Sequence, residues 1–141
     1  THRKIVDSLD EAYEGSAYFN TFGGNPVSAA AALAVLDILE QDKLIDQAKS
    51  VGNYLKSELE QTLKEIECVK EIRGKGLFLG IELNEPSVAA EIMENMMKEG
   101  VLVGKTGPKN NVIKLRPPMT FNSVHADFLV DKISFCLEKT N

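Results

Sequence analysis

The chain has 141 residues, 43% of them hydrophobic and 26% charged, with a formal net charge of −5. That length and balance suit a globular domain able to bury its own core, and the acidic excess argues against a nucleic-acid surface, which needs clustered Lys and Arg. No apolar run reaches the ~20 residues of a membrane span, and no secretory h-region follows Thr1-His2-Arg3-Lys4.

Residues 3–9 read as a short helix with Ile5, Val6 and Leu9 apolar. Glu14-Gly15-Ser16-Ala17 should break it, and Tyr18-Phe19-Asn20 leads into a loop. Thr21-Phe22-Gly23-Gly24-Asn25-Pro26 then combines a hydroxyl, two glycines, a helix N-cap and a helix-opening proline. A helix start presents free N–H groups and about half a unit of positive charge to whatever sits in front. Locally, the stretch is either an anion site or a buried turn that uses glycine's φ range. The helix behind it, residues 26–40, is apolar in nearly every direction, which predicts burial on more than one side and, in a domain this small, contact with another domain or subunit.

Asp42 is the expected cap of a second, amphipathic helix reaching residue 67, with Leu44, Ala48, Val51, Leu55, Leu59, Leu63 and Ile66 on one face. The period then changes. Residues 69–72 and 77–83 read as strands joined by the turn Arg73-Gly74-Lys75-Gly76, an antiparallel hairpin. Leu77, Leu79, Ile81 and Leu83 share one face, and Phe78, Gly80 and Glu82 the other. Pro86 opens a third helix with Ala89, Ile92, Met93 and Met96 inward, and Gly100 closes it. Residues 101–103 read as a strand, 104–111 as a polar loop, and 112–116 as the last strand, stopped by Pro117-Pro118. Asn122 or Ser123 caps a final helix whose expected inner face is Val124, Phe128, Leu129, Ile133, Cys136 and Leu137. The class is α+β, helices laid on a small sheet.

Gly104-Lys105-Thr106 looks like the end of a phosphate-binding P-loop, but the required upstream glycine is Glu99 and no helix start follows. Cys68 and Cys136, far apart and near no histidine pair, read as thiols in a reducing compartment, so no metal is expected and the cytoplasm is. Glu82 has no partner at useful spacing, and Arg73 and Lys75 flank a turn, where a structural role is favoured. Lys114 and Arg116 lie two apart on a strand, so they share a face while Ile113 and Leu115 point to the core. The pair is either a receptor for a carboxylate or phosphate, or the solvated face of an edge strand.

Three motifs then combine: Asn20-Thr21-Phe22-Gly23-Gly24-Asn25-Pro26 with its alanine-rich helix, Ile72-Arg73-Gly74-Lys75-Gly76-Leu77, and Ile113-Lys114-Leu115-Arg116-Pro117-Pro118-Met119. In this order they resemble the class III (ornithine/ω-amino acid type) pyridoxal-phosphate aminotransferases over essentially the whole chain. The resemblance implies the C-terminal small domain of a fold type I enzyme in residues 41–141, helices packed on a small, largely antiparallel sheet. Residues 1–40 would be the end of the large domain that binds pyridoxal 5′-phosphate. It further implies a homodimer with active sites at the subunit boundary. Thr21 would hydrogen-bond the phosphate of the partner subunit's cofactor, with Phe22 beside it. Arg116, with Lys114 second, would receive the substrate's acidic group. In this family the Schiff-base lysine precedes the segment that matches Thr1, so no catalytic residue is expected here. Lys4, beside His2 and Arg3, lacks the desolvated setting such a lysine needs. Nor does the chain open on an initiator methionine, which suggests a piece of something longer.

One departure bears on substrate. Ornithine and acetylornithine members carry an arginine where this chain has Lys114, and the fork-shaped donor here is Arg116. The Lys-x-Arg-Pro-Pro-Met form is similar to the alanine–glyoxylate type 2 and phospho-lyase-like branch. The expected function is amino-group transfer between an amine or amino acid and a 2-oxo acid. The alternatives are a pyridoxal-phosphate phospho-lyase on the same scaffold and a stand-alone α+β binding module.

Overall fold

Arg3–Ala12 forms helix α1, amphipathic but with none of its residues buried. Its Arg3–Asp7 pair, 3.5 Å apart and exposed, contributes little. Helix α2, Pro26–Gln41, starts where proline and Asn25 predict. The Asn25 side chain accepts from the Ser28 N–H at 2.9 Å and donates to the Phe22 carbonyl at 2.8 Å, which closes the turn onto the helix. The burial expected of α2 is not met within the chain: none of its residues is buried, and Leu33, Val35, Leu36 and Ile38 are each half exposed or more. This computed structural model describes residues 2–13 and 20–140, so the predicted break at 14–17 and the lead-in at 18–19 lie outside the described residues. The chain divides into two units, Thr1–Asp37 and Ile38–Asn141.

In the second unit α3 (Leu44–Thr62) is followed by β1 (Val69–Lys75), β2 (Phe78–Leu83), α4 (Pro86–Lys98), β3 (Gly104–Thr106), β4 (Val112–Leu115) and α5 (Ser123–Thr140). The four strands form one antiparallel sheet in the order β1-β2-β4-β3. Alternation along β2 and β4 sends Leu79, Ile81, Leu83, Ile113 and Leu115 to one face. There they meet Leu55 and Leu59 of α3, Ala89, Ile92 and Met96 of α4, and Leu129, Ile133 and Leu137 of α5 in one core. The helices cover this face, and the opposite face stays open around Phe78, Gly80, Glu82 and Lys114. The α+β class and the antiparallel sheet are as the sequence predicts.

Local details differ, each for a physical reason. Lys43 takes a left-handed conformation (φ 50°) ahead of α3, so the helix begins at Leu44 without a cap from Asp42, and it stops at Thr62 rather than residue 67. The β1–β2 turn is the two residues Gly76-Leu77 only, because β1 keeps its ladder as far as Lys75 opposite Phe78. Gly76 supplies the positive φ (55°) that so short a turn demands, and Gly52 of α3 lies so close to its backbone that a Cβ there would collide with it. Helix α4 ends in a Schellman motif: the Val101 N–H reaches the Met96 carbonyl and the Gly100 N–H the Met97 carbonyl, with Gly100 at φ 81°.

Residues 101–103 are not a strand. The ladder partner of β4 is 104–106, and Val101 and Val103 pack on the core instead. In α5 the buried stripe is Ala126, Leu129, Val130, Ile133, Cys136 and Leu137, whereas Val124 (70%) and Phe128 (50%) are exposed. Asn122 is its cap, accepting from the His125 N–H at 3.1 Å. The Tyr54 hydroxyl donates to Asp127 at 2.6 Å and ties α3 to α5; that bond, more than burial, pushes its pKa up to about 12. Burial pushes the thiols of Cys68 and Cys136 up, so neither is poised to react.

Candidate functional site

The open face of the sheet carries the cations that the sequence singled out, Lys114 leaning over Gly104 and Arg116 toward Phe78. Strand β4 lies inside the sheet between β2 and β3, not at an edge, so its outward side chains have neighbours on both sides. Lys114 stands opposite Gly80 of β2 and Gly104 of β3, and Gly80 in turn stands opposite Arg73 of β1. Directly opposed residues on antiparallel strands share a face. One row across four strands therefore reads Arg73, Gly80, Lys114, Gly104.

The two cations in that row differ in state. The Arg73 guanidinium donates to Glu71 at 2.8 Å and to Glu82 at 2.6 Å. Arg73 holds the Glu82 carboxyl below the usual glutamate range, and Glu82 raises Arg73 in return. Glu82, which has no visible partner in the sequence, is thus half of an ion pair. Lys114, half-buried, makes no ion pair with any described residue. Exposed Arg116 makes none either; its guanidinium lies 5.9 Å from the centre of the Phe78 ring. Two residues along the same face, Lys114 and Arg116 are cations without a protein anion.

The first unit carries the other predicted stretch. Thr21–Gly24 is a turn, and Thr21 and Phe22 are both exposed, Phe22 by 78%. Asn20 organises the turn: its side-chain oxygen accepts from the Phe22 N–H at 3.2 Å and its carbonyl from the Gly23 N–H. The Thr21 hydroxyl and the Gly24 N–H bond to no described residue. Both residues are exposed.

Gly104-Lys105-Thr106, rejected as a P-loop, is strand β3. Among the described residues no three His, Cys, Asp or Glu gather in a metal-holding group, and no described helix is long and apolar enough to cross a membrane. The sequence does not show that Arg73 pairs with Glu82 across the hairpin, nor that glycines stand on both sides of Lys114 in the sheet. Glycine inside a strand was the available signal, since it marks a bend or a close approach.

Residues 3–137 match the family model of the class-III aminotransferases. The chain is 44% identical over 131 residues to the mitochondrial alanine–glyoxylate aminotransferase 2 homolog 2 of Arabidopsis thaliana, covering 87% of this chain and 28% of that protein. It is 37% identical over 135 residues to the ornithine aminotransferase of Bacillus subtilis, covering 96% and 31%. Its fold superposes with a TM-score of 0.85 and 38% identity on a phospholyase from Arthrobacter solved with phosphoethanolamine, covering 94% of this chain and 33% of that one. The chain thus spans about a third of the length of these relatives.

Proposed function

This chain belongs to the class-III aminotransferases, and on that premise we propose that it serves as the C-terminal part of a pyridoxal-phosphate enzyme that moves an amino group between an amine or amino acid and a 2-oxo acid. In this reading residues 1–40 close the large domain and residues 41–141 are the small domain. The observation that carries it is the pair of cations without a protein anion, Lys114 and Arg116, on the uncovered face of the sheet. Their work is to bind and orient: the substrate's carboxylate docks on them, which fixes the direction in which its amino or oxo carbon is presented. Arg73 is held by Glu71 and Glu82 and does not compete for that carboxylate.

Thr21 has the second task. Its free hydroxyl, on a turn ordered by Asn20 and Asn25, donates to the phosphate of pyridoxal 5′-phosphate in the partner subunit of a homodimer, with Phe22 against the cofactor's surroundings. The cofactor supplies the electron sink for amino transfer, and the lysine that carries it belongs to the large domain. Location in the cytoplasm is part of the proposal, and imaging of the tagged full-length protein tests it. The Arabidopsis relative is mitochondrial by name.

A phospho-lyase reading has its own support. The Arthrobacter relative was solved with a phosphorylated amine, and a compact lysine charge suits phosphate as well as carboxylate. Purified full-length protein decides between them. Amino transfer to a 2-oxo acid, with the visible absorbance of bound pyridoxal phosphate, is the expected result. Phosphate release from a phosphorylated amine without amino transfer would move the assignment to the lyase. Absence of any cofactor absorbance would end both readings.

A further inference from the structure

A side chain at residue 104 would meet the head of Lys114 and nothing else. A Cβ built on Gly104 lies 3.3 Å from the lysine Cε and 3.7 Å from Nζ. Among the described residues, its two chain neighbours aside, no other heavy atom comes within 4 Å of that position. The lysine stem thus crosses from β4 to β3 and lays its last carbon and its ammonium over the Gly104 backbone. A strand side chain ordinarily stands roughly perpendicular to the sheet. Lying down instead, Lys114 is half-buried.

The glycine answers no need of its own backbone. Gly74, Gly76, Gly100 and Gly107 take the positive φ that favours glycine, and Gly104 does not. It stands in strand β3, where glycine weakens a strand and marks a close approach. Here the approach is the lysine's. Gly80, on the other side of Lys114, differs: a Cβ there meets Val112 Cγ1 at 3.0 Å, and its nearest neighbours include no lysine atom.

Size at residue 104 therefore acts on the ammonium. An alanine methyl asks Lys114 to give by a few tenths of an ångström. Valine adds two γ-carbons in the space that Cε and Nζ occupy, and the lysine must then stand up into solvent, where an ion pair is screened and contributes less.

We infer that Gly104 is a positioning residue, whose bare backbone seats the Lys114 ammonium on the sheet for an incoming acid. The inference rests on the proposal that Lys114 receives the substrate's acidic group, and it adds what holds the lysine in place. Carboxylate and phosphate share the chemistry, so both are tested.

The experiment titrates the isotope-labelled 141-residue chain by NMR with acetate and with inorganic phosphate, and compares variants on whichever binds the parent more tightly. In the parent the amides of residues 104 and 114–116 and the Lys114 Cε and Hε resonances should shift. Lys114→Met should weaken the acid by tenfold or more, and Gly104→Val by roughly fivefold. The thermal midpoint of Gly104→Val should not fall, since valine suits a strand and only the lysine stands in its way. If that variant fails to fold, Gly104→Ala is read without ligand: the Lys114 Cε and Hε resonances should move from their parent positions, and unmoved resonances overturn the assignment of Gly104. An affinity in folded Gly104→Val within twofold of the parent, alongside the loss in Lys114→Met, also overturns it and leaves the acid-receiving role of Lys114 standing. No shift around Lys114 in the parent with either acid, or undiminished binding by Lys114→Met, overturns that role and the inference with it.

Discussion

Lys114 and Arg116 differ in burial, and that difference sets the expected order of their effects on substrate binding. Lys114 is half-buried, between glycines on both neighbouring strands, with no anion of its own. A carboxylate that meets it makes a charge-assisted hydrogen bond partly shielded from water, worth roughly 1.5–3 kcal/mol. Lys114→Met keeps the apolar stem and removes only the charge, so the KM for the acidic substrate should rise roughly 10- to 150-fold. Arg116 is exposed and already lies over Phe78, so a carboxylate there gains only what an exposed ion pair gives, about 0.2–1 kcal/mol. Arg116→Met should then cost about 1.5- to 5-fold. Steady-state kinetics of the two variants in the full-length enzyme, at low and at 0.5 M salt, make the comparison. The lysine variant should lose its defect only partly in salt, because a shielded pair is screened less. If Arg116→Met is the more damaging substitution, the argument from burial is wrong and the guanidinium grips the substrate.

Other expectations follow from single contacts. Thr21→Ala in the full-length dimer should speed loss of pyridoxal phosphate on dialysis by at least tenfold, in line with a hydroxyl–phosphate bond of roughly 1.5–3 kcal/mol. Its thermal midpoint in the cofactor-free form should not move, because Thr21 is exposed; unchanged cofactor retention would remove the residue from the phosphate site. Asn111, 3% exposed, donates from its side chain to the Leu83 carbonyl at 2.7 Å, so Asn111→Ala should destabilise the chain by about 1–3 kcal/mol in urea melts. A loss below 0.5 kcal/mol would mean that carbonyl finds water. Acid should weaken the fold through Glu82 and Glu99, held low by Arg73 and by Lys132 respectively. A depressed carboxyl stabilises fully above its unfolded pKa, near 4.5, and the contribution fades as pH falls through the lower folded value. Glu99→Gln should therefore flatten the decline of the thermal midpoint below pH 4.5, and a slope identical to the parent's would discount the Lys132 pair.

What the chain declares by itself is local periodicity and local chemistry. A strand repeats every two residues, so the sequence alone placed Leu79, Ile81 and Leu83 inside and Phe78, Gly80 and Glu82 outside. For the same reason it put Lys114 and Arg116 on the face opposite Ile113 and Leu115. Asn25-Pro26 and Gly100 likewise announced helix ends that the structure keeps, because caps and left-handed turns are short-range requirements. Pairing is not short-range. Residues 101–103 have strand composition, yet the strand is 104–106, because a strand exists only where a partner's N–H and C=O groups complete it. The stripe of α5 was misjudged at Val124 and Phe128 because apolar spacing cannot say which neighbour a helix will meet. Above all, only the insertion of β4 between β2 and β3 sets Arg73, Gly80, Lys114 and Gly104 in one row. Those four residues lie on four strands, and nothing in their separate surroundings reveals that two cations share one row with a glycine between them.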